Sequence, residues 1–580
     1  MRAARAGRTS VADLAPDAAA ALTVLVLSWP MWRWGGYGLA RDMVFTPRHP
    51  LDADAIGMGS TLPRAVPLDA VLGVLTTVID GAVVFRLAVG GVLLLAGFGA
   101  HRMLRDQPVS ARVLVAVLAT WNPFVVERLA LGQWALLASY ASLWWLLPAL
   151  RRVLDGDARA LAAVVLWGWL GSLTPTGGVL MVLVTAATCL LRRRTPRRWL
   201  PLVLVLLGQL PWVLPGLLAG SGGTSDPAAV TDFAARAERP GGALLTLLGT
   251  GGTWSRFTVP PSLGGALGFV LTAAVAGVLL GGGREVWRRM PGLVVAGALG
   301  FVLASLAHLP GGDDLLVQVV AHVPGGGLLR DGQKWLVPYV MVVVLCAGRT
   351  LARVSERLGR ADVDVARLLT GVAALVPLLL LPDAASRTWA ALRPVTMPPD
   401  LVHAVAVLDR APASAGAVVT LPWASYRQLS WGNPLSVADP LPRWAAREVV
   451  VSDALRTPSG LLHGEDRRAG RVGAALRAPD PSAALTRLGV GFALVYRDQP
   501  GSAVIGGIPL VRGPTVALYR LPGRVVTQPD LHPSLLVGAV AAADLAWGAI
   551  LVGCLVASAV AARRRTGSPR DPRSPAPEHC

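Results

Sequence analysis

Residues 18–47 read AAAALTVLVLSWPMWRWGGYGLARDMVFTP. The first part, about 18–34, is an apolar run that closes on tryptophans. The rest is punctuated by glycine and still mostly apolar, with one carboxylate, Asp42, about eight residues beyond the run. A run of this length crosses a hydrocarbon core about 30 Å thick as a helix. Hydrocarbon offers no hydrogen-bond partner to other open backbone. Residues 1–17 carry Arg2, Arg5 and Arg8, and no small-residue cleavage signature follows. The segment therefore reads as an uncleaved first span with its N-terminus inside.

The same reading extends along the chain. Apolar runs fall near 18–34, 83–100, 112–125, 135–150, 159–173, 177–191, 200–219, 265–281, 291–308, 335–350, 365–381 and 533–561. Only 15% of the residues are charged and 53% are hydrophobic, where a soluble chain carries about 25% charged. The expected class is a polytopic α-helical membrane protein with about 12 transmembrane helices. Basic residues settle the orientation. With the N-terminus inside, cytoplasmic connections hold about 27 Arg and the opposing short loops about ten Lys and Arg. The clusters include Arg102/Arg105, Arg151/Arg152, Arg192–Arg194, Arg284/Arg288/Arg289 and Arg563–Arg565. This clustering accounts for the net charge of +19 and argues against a nucleic-acid partner. The expectation is a multi-pass plasma-membrane protein, surrounded by membrane lipids, with both termini cytoplasmic.

Four polar regions fall on the outer side, near 35–82, 220–264, 309–334 and 382–531. The last is long enough for a domain. Strand-like runs at 416–421, 449–452, 492–496 and 515–519 alternate with amphipathic stretches at 401–408 and 483–488, which points to an extracytoplasmic α/β domain. The division is therefore a multi-span module over 1–381, that domain over 382–531, a final transmembrane helix over 532–562 and a disordered basic tail over 563–580. Cys189, Cys346 and Cys554 lie in apolar runs and Cys580 ends the chain, so no disulfide framework is expected. Lys occurs once, at 334, and Asn twice, at 122 and 433. That bias is what a GC-rich bacterial genome imposes, and all three survivors fall in polar or non-helical stretches.

Polar groups near the membrane need a reason. Asp42 can act as a general base toward a hydroxyl; its bland alternative is a solvated acid paired with Arg41. Asp52 and Asp54 follow as an acid-x-acid pair and are candidates for a divalent cation, or simply two loop acids. Glu127, Arg128 and Gln133 lie between two apolar runs, as functional groups or as an internal Glu–Arg pair. Arg330 and Lys334 follow His322-Val323-Pro324-Gly325-Gly326-Gly327. They suit a phosphate as a fork and a point charge, or they snorkel to the interface. Trp254 and Arg256 are candidate sugar or lipid contacts or interfacial anchors. The run Leu421–Asn433 places aromatics beside polar groups, as carbohydrate surfaces do, although a small core reads the same way. The sequence holds no Walker A motif, zinc-spaced cluster or nucleophile elbow, and the cytoplasmic loops are too short for a catalytic domain.

This plan resembles the GT-C superfamily of membrane glycosyltransferases, which use polyprenyl-phosphate-linked sugars. The loop Asp42–Pro67 and the segment Asn122–Trp134 are similar to those of actinobacterial members, including arabinofuranosyltransferases. The resemblance implies an inverting glycosyltransferase at the outer face. It would take a polyprenyl-phosphate sugar donor and a glycan or lipid acceptor for cell-wall biogenesis. Asp42 matches the superfamily's first-loop catalytic acid, and Arg330, Lys334, Glu127, Arg128, Gln133, Trp254 and Arg256 would bind substrate. Many members double that acid; here Arg41-Asp42-Met43 stands alone and Asp52-x-Asp54 lies ten residues on. Which acid is the base, and whether a divalent cation takes part, stays open on the residues. A lipid-linked substrate transporter or flippase and an inactive scaffold of the same shape are the competing readings. No charged relay is apparent in the mid-membrane runs, which weighs against the transporter.

Overall fold

The structure is a computed structural model that describes residues 11–61, 63–192, 198–218, 224–359, 363–499, 505–528 and 531–567. The expected basic residues at 2, 5, 8, 193, 194 and 197, and the tail beyond 567, lie outside the described residues. The final helix runs Ser534–Gly567, so the first residues assigned to the tail are helical.

Among the described residues, seven helices are long and apolar enough to cross a membrane. They are Leu14–Arg33, Gly81–Arg102, Val109–Ala130, Ala266–Arg289, Pro291–His308, Gly332–Leu358 and Ser534–Val560. Leu200–Leu207 and Leu210–Leu218, bent by 55° at their break, make an eighth if taken as one span. Of the other four expected spans, those on Leu161–Leu170 and Pro175–Leu190 are short apolar helices, that on Trp134–Leu154 carries Arg151 and Arg152 in its last turn, and that on Val363–Leu380 is a helix of 18 residues. Trp134–Leu154 is enclosed by protein over most of its surface. A helix sheltered in this way does not need the length or uniform apolarity of a lipid-facing one.

Gly332–Leu358 is the axis of the bundle, with 94% of its apolar window buried, whereas Ser534–Val560 is peripheral at 11%. The axis packs on Ala266–Arg289, Pro291–Ser305 and Val109–Leu118. Close approach on one side depends on Gly282, where a methyl would lie 2.4 Å from the Cys346 carbonyl oxygen.

The Pro-containing breaks seen in the sequence are capped helix starts. Asn122 Oδ1 accepts from Val125 N (3.0 Å) and its Nδ2 donates to Leu118 O (2.8 Å), so one side chain bridges Val109–Leu118 and Pro123–Ala130. Thr174 caps Pro175–Leu190 in the same manner, and a proline occupies the first turn of each helix.

Residues 399–521 contain the expected α/β unit. Its five-stranded sheet runs in the order Ile508–Arg512, Val516–Arg520, Val490–Tyr496, Ala417–Leu421, Val449–Val450. Ala417–Leu421 is parallel to both its neighbours, and the other pairings are antiparallel. Helices Pro399–Arg410 and Pro481–Arg487 cover it. The edge strand Ile508–Arg512 is the one the sequence pattern misses. Its exposed positions carry Ile508 and Arg512, so no clean alternation marks it.

Candidate functional site

Asp42 lies in a two-residue turn. Leu39–Ala40 pairs with Met43–Val44, which leaves Arg41 and Asp42 at the tip. Arg41 has φ +54°, an unfavourable region for a residue with a Cβ. The turn is held from two sides. Arg41 N donates to Ser436 O (2.7 Å), Ala438 N donates to Arg41 O (2.9 Å), and Asp42 N donates to Leu131 O (3.2 Å). Gly132, at φ +79°, lets the Leu131–Gln133 segment press against the hairpin. A methyl there would sit 2.5 Å from Met43 N. First loop, membrane helices and α/β unit thus converge on one carboxylate.

The Asp42 side chain has two donors. Gln133 Nε2 donates to Oδ2 (2.9 Å), and the Tyr426 hydroxyl donates to Oδ1. Gln133 Oε1 accepts from Arg128 Nη1 (2.7 Å). Because guanidinium only donates, this bond fixes the amide orientation and turns the Gln133 NH₂ toward Asp42. Arg128 also grips Asp331 with both Nη atoms, at 2.7 and 2.8 Å. Lys334 Nζ stands 3.6 Å from Asp331. Burial alone would raise the Asp331 carboxyl, but Arg128, Lys334 and Arg330 together hold it below the usual carboxylate range.

Arg330 pairs with Glu465 (3.4 Å) and stacks over Phe233, 5.0 Å from the ring centre. Arg64 pairs with the same Glu465 at 2.5 Å. Burial, then the neighbouring Arg64, lowers Arg330 from its ordinary value. Tyr426 keeps 36% of its surface accessible while protein packs around it. Burial and then the Asp42 charge push its phenol well above the ordinary value, so it remains a donor.

Of the residues singled out from the sequence, Asp42, Arg128, Gln133, Arg330 and Lys334 therefore come together. The alternative reading, an internal Glu127–Arg128 pair, does not form. Adjacent residues on a helix point about 100° apart, and Glu127 turns instead to Gln333 Nε2 (2.6 Å) and Thr253 N (3.2 Å). Trp254 packs edge-on against Phe233 (4.8 Å), the ring under Arg330. Arg256 is exposed over Phe257 and does not join the group. Asp52 Oδ1 accepts from Ala55 N (3.0 Å) and Asp54 Oδ1 from Thr61 Oγ1 (3.1 Å). Among the described residues no three His, Cys, Asp or Glu side chains are grouped for a metal.

Part of the Leu421–Asn433 run is core rather than surface. Arg427 is buried and bonded to Asp439 (2.7 Å), which also accepts from the Tyr496 hydroxyl (2.8 Å). Sequence reasoning missed Tyr426, Asp331 and Glu465 as members of the site. Tyr426 lies 384 positions from Asp42, a separation no local pattern reveals, whereas Asp331 sits beside Arg330 and was within reach. Asp544 was also missed. It lies inside the last span, and among the described residues both of its carboxylate oxygens lack a hydrogen-bond partner.

No family model and no curated protein matches the chain. Its fold is similar to a cryo-EM structure of arabinofuranosyltransferase AftD from Mycobacteria. The TM-score is 0.50 at 19% identity, over 91% of this chain and 40% of that one. A mutant form of the same protein gives 0.51 at 18% identity, over 90% and 42%. The chain thus spans about two-fifths of the length of AftD. At this identity the likeness shows the fold alone.

Proposed function

We propose that the chain is a membrane glycosyltransferase that moves a sugar from a polyprenyl-phosphate donor to a glycan or lipid acceptor at the outer face. The observation that carries this reading is a carboxylate, Asp42, held by two donors, with Lys334 near enough to feel its charge and Arg330 near Tyr426. The acceptor hydroxyl gives its proton to Asp42 as its oxygen forms a bond to the anomeric carbon. The bond from that carbon to the phosphate oxygen breaks on the opposite side, with inversion. Polyprenyl phosphate leaves as an anion, and its charge is stabilised by Arg330 and Lys334. Both cations are balanced in the protein by Glu465 and Asp331, so a donor phosphate would compete for them. Both Nη atoms of Arg128 are engaged by Asp331 and Gln133, and it acts as a positioning residue. The unit over 399–521, which contributes Tyr426, would bound the acceptor path.

The test is transfer of radiolabelled sugar from a panel of polyprenyl-phosphate donors by purified wild type and Asp42→Asn. Transfer by wild type and none by a folded variant establishes both the enzyme and its base. Equal transfer by both moves the base to Asp52 or Asp54. No transfer by either, with competent donors and acceptors, sinks the reading in favour of a scaffold or transporter.

A further inference from the structure

On the face of Pro123–Ala130 away from Arg128, Glu127 meets Glu238. Glu127 is fully buried and the Glu238 side chain is 1% exposed. The two carboxyls lie within hydrogen-bond reach of one another. Glu127 Oε2 accepts from Gln333 Nε2 and Thr253 N, and Glu238 Oε1 accepts from Gly252 N at 2.5 Å. The nearest cation, Arg239 Nη1, is 3.9 Å from Glu238 Oε2 and spends its other nitrogen on Leu245 O and Thr272. Two carboxylates thus face a single distant guanidinium.

Each of the four residues in this cluster carries one further oxygen that is buried and has no hydrogen-bond partner among the described residues. These are Glu127 Oε1, Glu238 Oε2, Thr253 Oγ1 and Gln333 Oε1. Buried polar atoms are almost always partnered, and these four belong to residues that touch one another, which points to a common ligand. All four are hard oxygens; the adjoining Arg239 Nε is also buried without a partner among the described residues. That donor set suits calcium or magnesium rather than zinc or copper. Carboxylates bind through one or both oxygens, so the set offers between four and about six ligands. A proton shared by the two carboxyls would leave Thr253 and Gln333 unsatisfied.

We propose that Glu127, Glu238, Thr253 and Gln333 form a site for one hard divalent cation of the calcium or magnesium class. The ion clamps helix Pro123–Ala130, the Glu238–Thr253 segment and the turn Gly332–Leu336 to one another. Glu127 precedes Arg128, and Gln333 lies between Asp331 and Lys334, so the clamp fixes the backbone beneath the charged cluster at Asp42 without touching it.

The experiment uses the full-length protein in detergent, stripped with chelator and dialysed. Bound metal is counted by mass spectrometry, and thermal melting is followed with Ca²⁺ or Mg²⁺ returned. Terbium luminescence sensitised by tryptophan reports position, because Trp254 and Trp335 flank Thr253 and Gln333 in sequence. The expected result is about one ion per chain and a rise in melting temperature of about 5 °C on its return. Terbium emission should be displaced by Ca²⁺. Glu127→Gln and Glu238→Gln should lose the ion, Thr253→Val should weaken it about tenfold if the Glu variants do not fold, and Asp52→Asn should keep it. Wild type that holds no ion and shows no melting shift overturns the proposal, because a proton or a water then serves the carboxyls. So does an ion that survives both Glu substitutions and vanishes with Asp52→Asn.

Discussion

Arg41 holds φ +54° in the turn next to Asp42, a conformation costing a non-glycine residue about 1–2 kcal/mol. Such outliers persist where surrounding contacts over-determine them, and here the 436–438 strand and Leu131 do so. The consequence is a carboxylate placed by backbone rather than by a mobile side chain. Tyr426→Phe removes one of the two donors that hold Asp42 and should cut the maximal rate about tenfold; an unchanged rate would remove Tyr426 from the site. Asp42→Asn should cost at least about 10²-fold in transfer. Gly132→Ala puts a methyl against Met43 N and forces φ +79° on a residue with a Cβ. It should lower melting by more than about 1 kcal/mol equivalent and depress transfer with it.

Helix Pro123–Ala130 is eight residues long and buried throughout, too short to be stable alone. Its stability comes from what its side chains reach. Asn122 ties its start to the preceding helix, Arg128 ties one face to Asp331, and Glu127 ties the other to Gln333. Arg128→Met strips buried Asp331 of two hydrogen bonds and leaves it only Lys334 at 3.6 Å, and should cost about 3 kcal/mol. The double variant Arg128→Met/Asp331→Leu should recover most of that loss, and a melting series of the four proteins checks it. The Asp331 carboxyl is depressed in the folded state. The stability it contributes is therefore complete above the ordinary carboxylate value of about 4 and is lost as pH falls through the depressed one. In the double variant this acid-side loss should shrink.

At the scale of the molecule, the seam between the helical bundle and the α/β unit is where Asp42, Tyr426, Arg330 and Glu465 gather. The orientation expected from the arginines would put this seam outside. Leu461→Cys, on the exposed hairpin of the α/β unit, should react with an impermeant maleimide in intact cells. Arg288→Cys should react only after permeabilisation, and the reverse pattern would invert the topology. The last helix buries only 11% of its apolar window. It leans on Leu161–Leu170 through the stacked Trp169 and Trp547 rings (5.5 Å), far from the seam in the order of packing. Removal of residues 532–580 should leave the rest folded and transfer within a few-fold of the intact chain.

Membrane class, the first-loop acid and the α/β pattern near the C-terminus follow from local rules: run length, alternation and capping residues act within a turn or two of chain. Asn122 and Lys334 also announced themselves, as rare residue types kept where a cap and a charge were needed. The partners of those residues did not. That Arg128 serves Asp331 rather than Glu127, that Tyr426 closes on Asp42 and that Glu127 meets Glu238 are matters of which helix faces press together. Whether an apolar run touches lipid or protein likewise depends on its neighbours. Periodicity records that a face is apolar or that a charge is present; only packing in three dimensions decides what it meets.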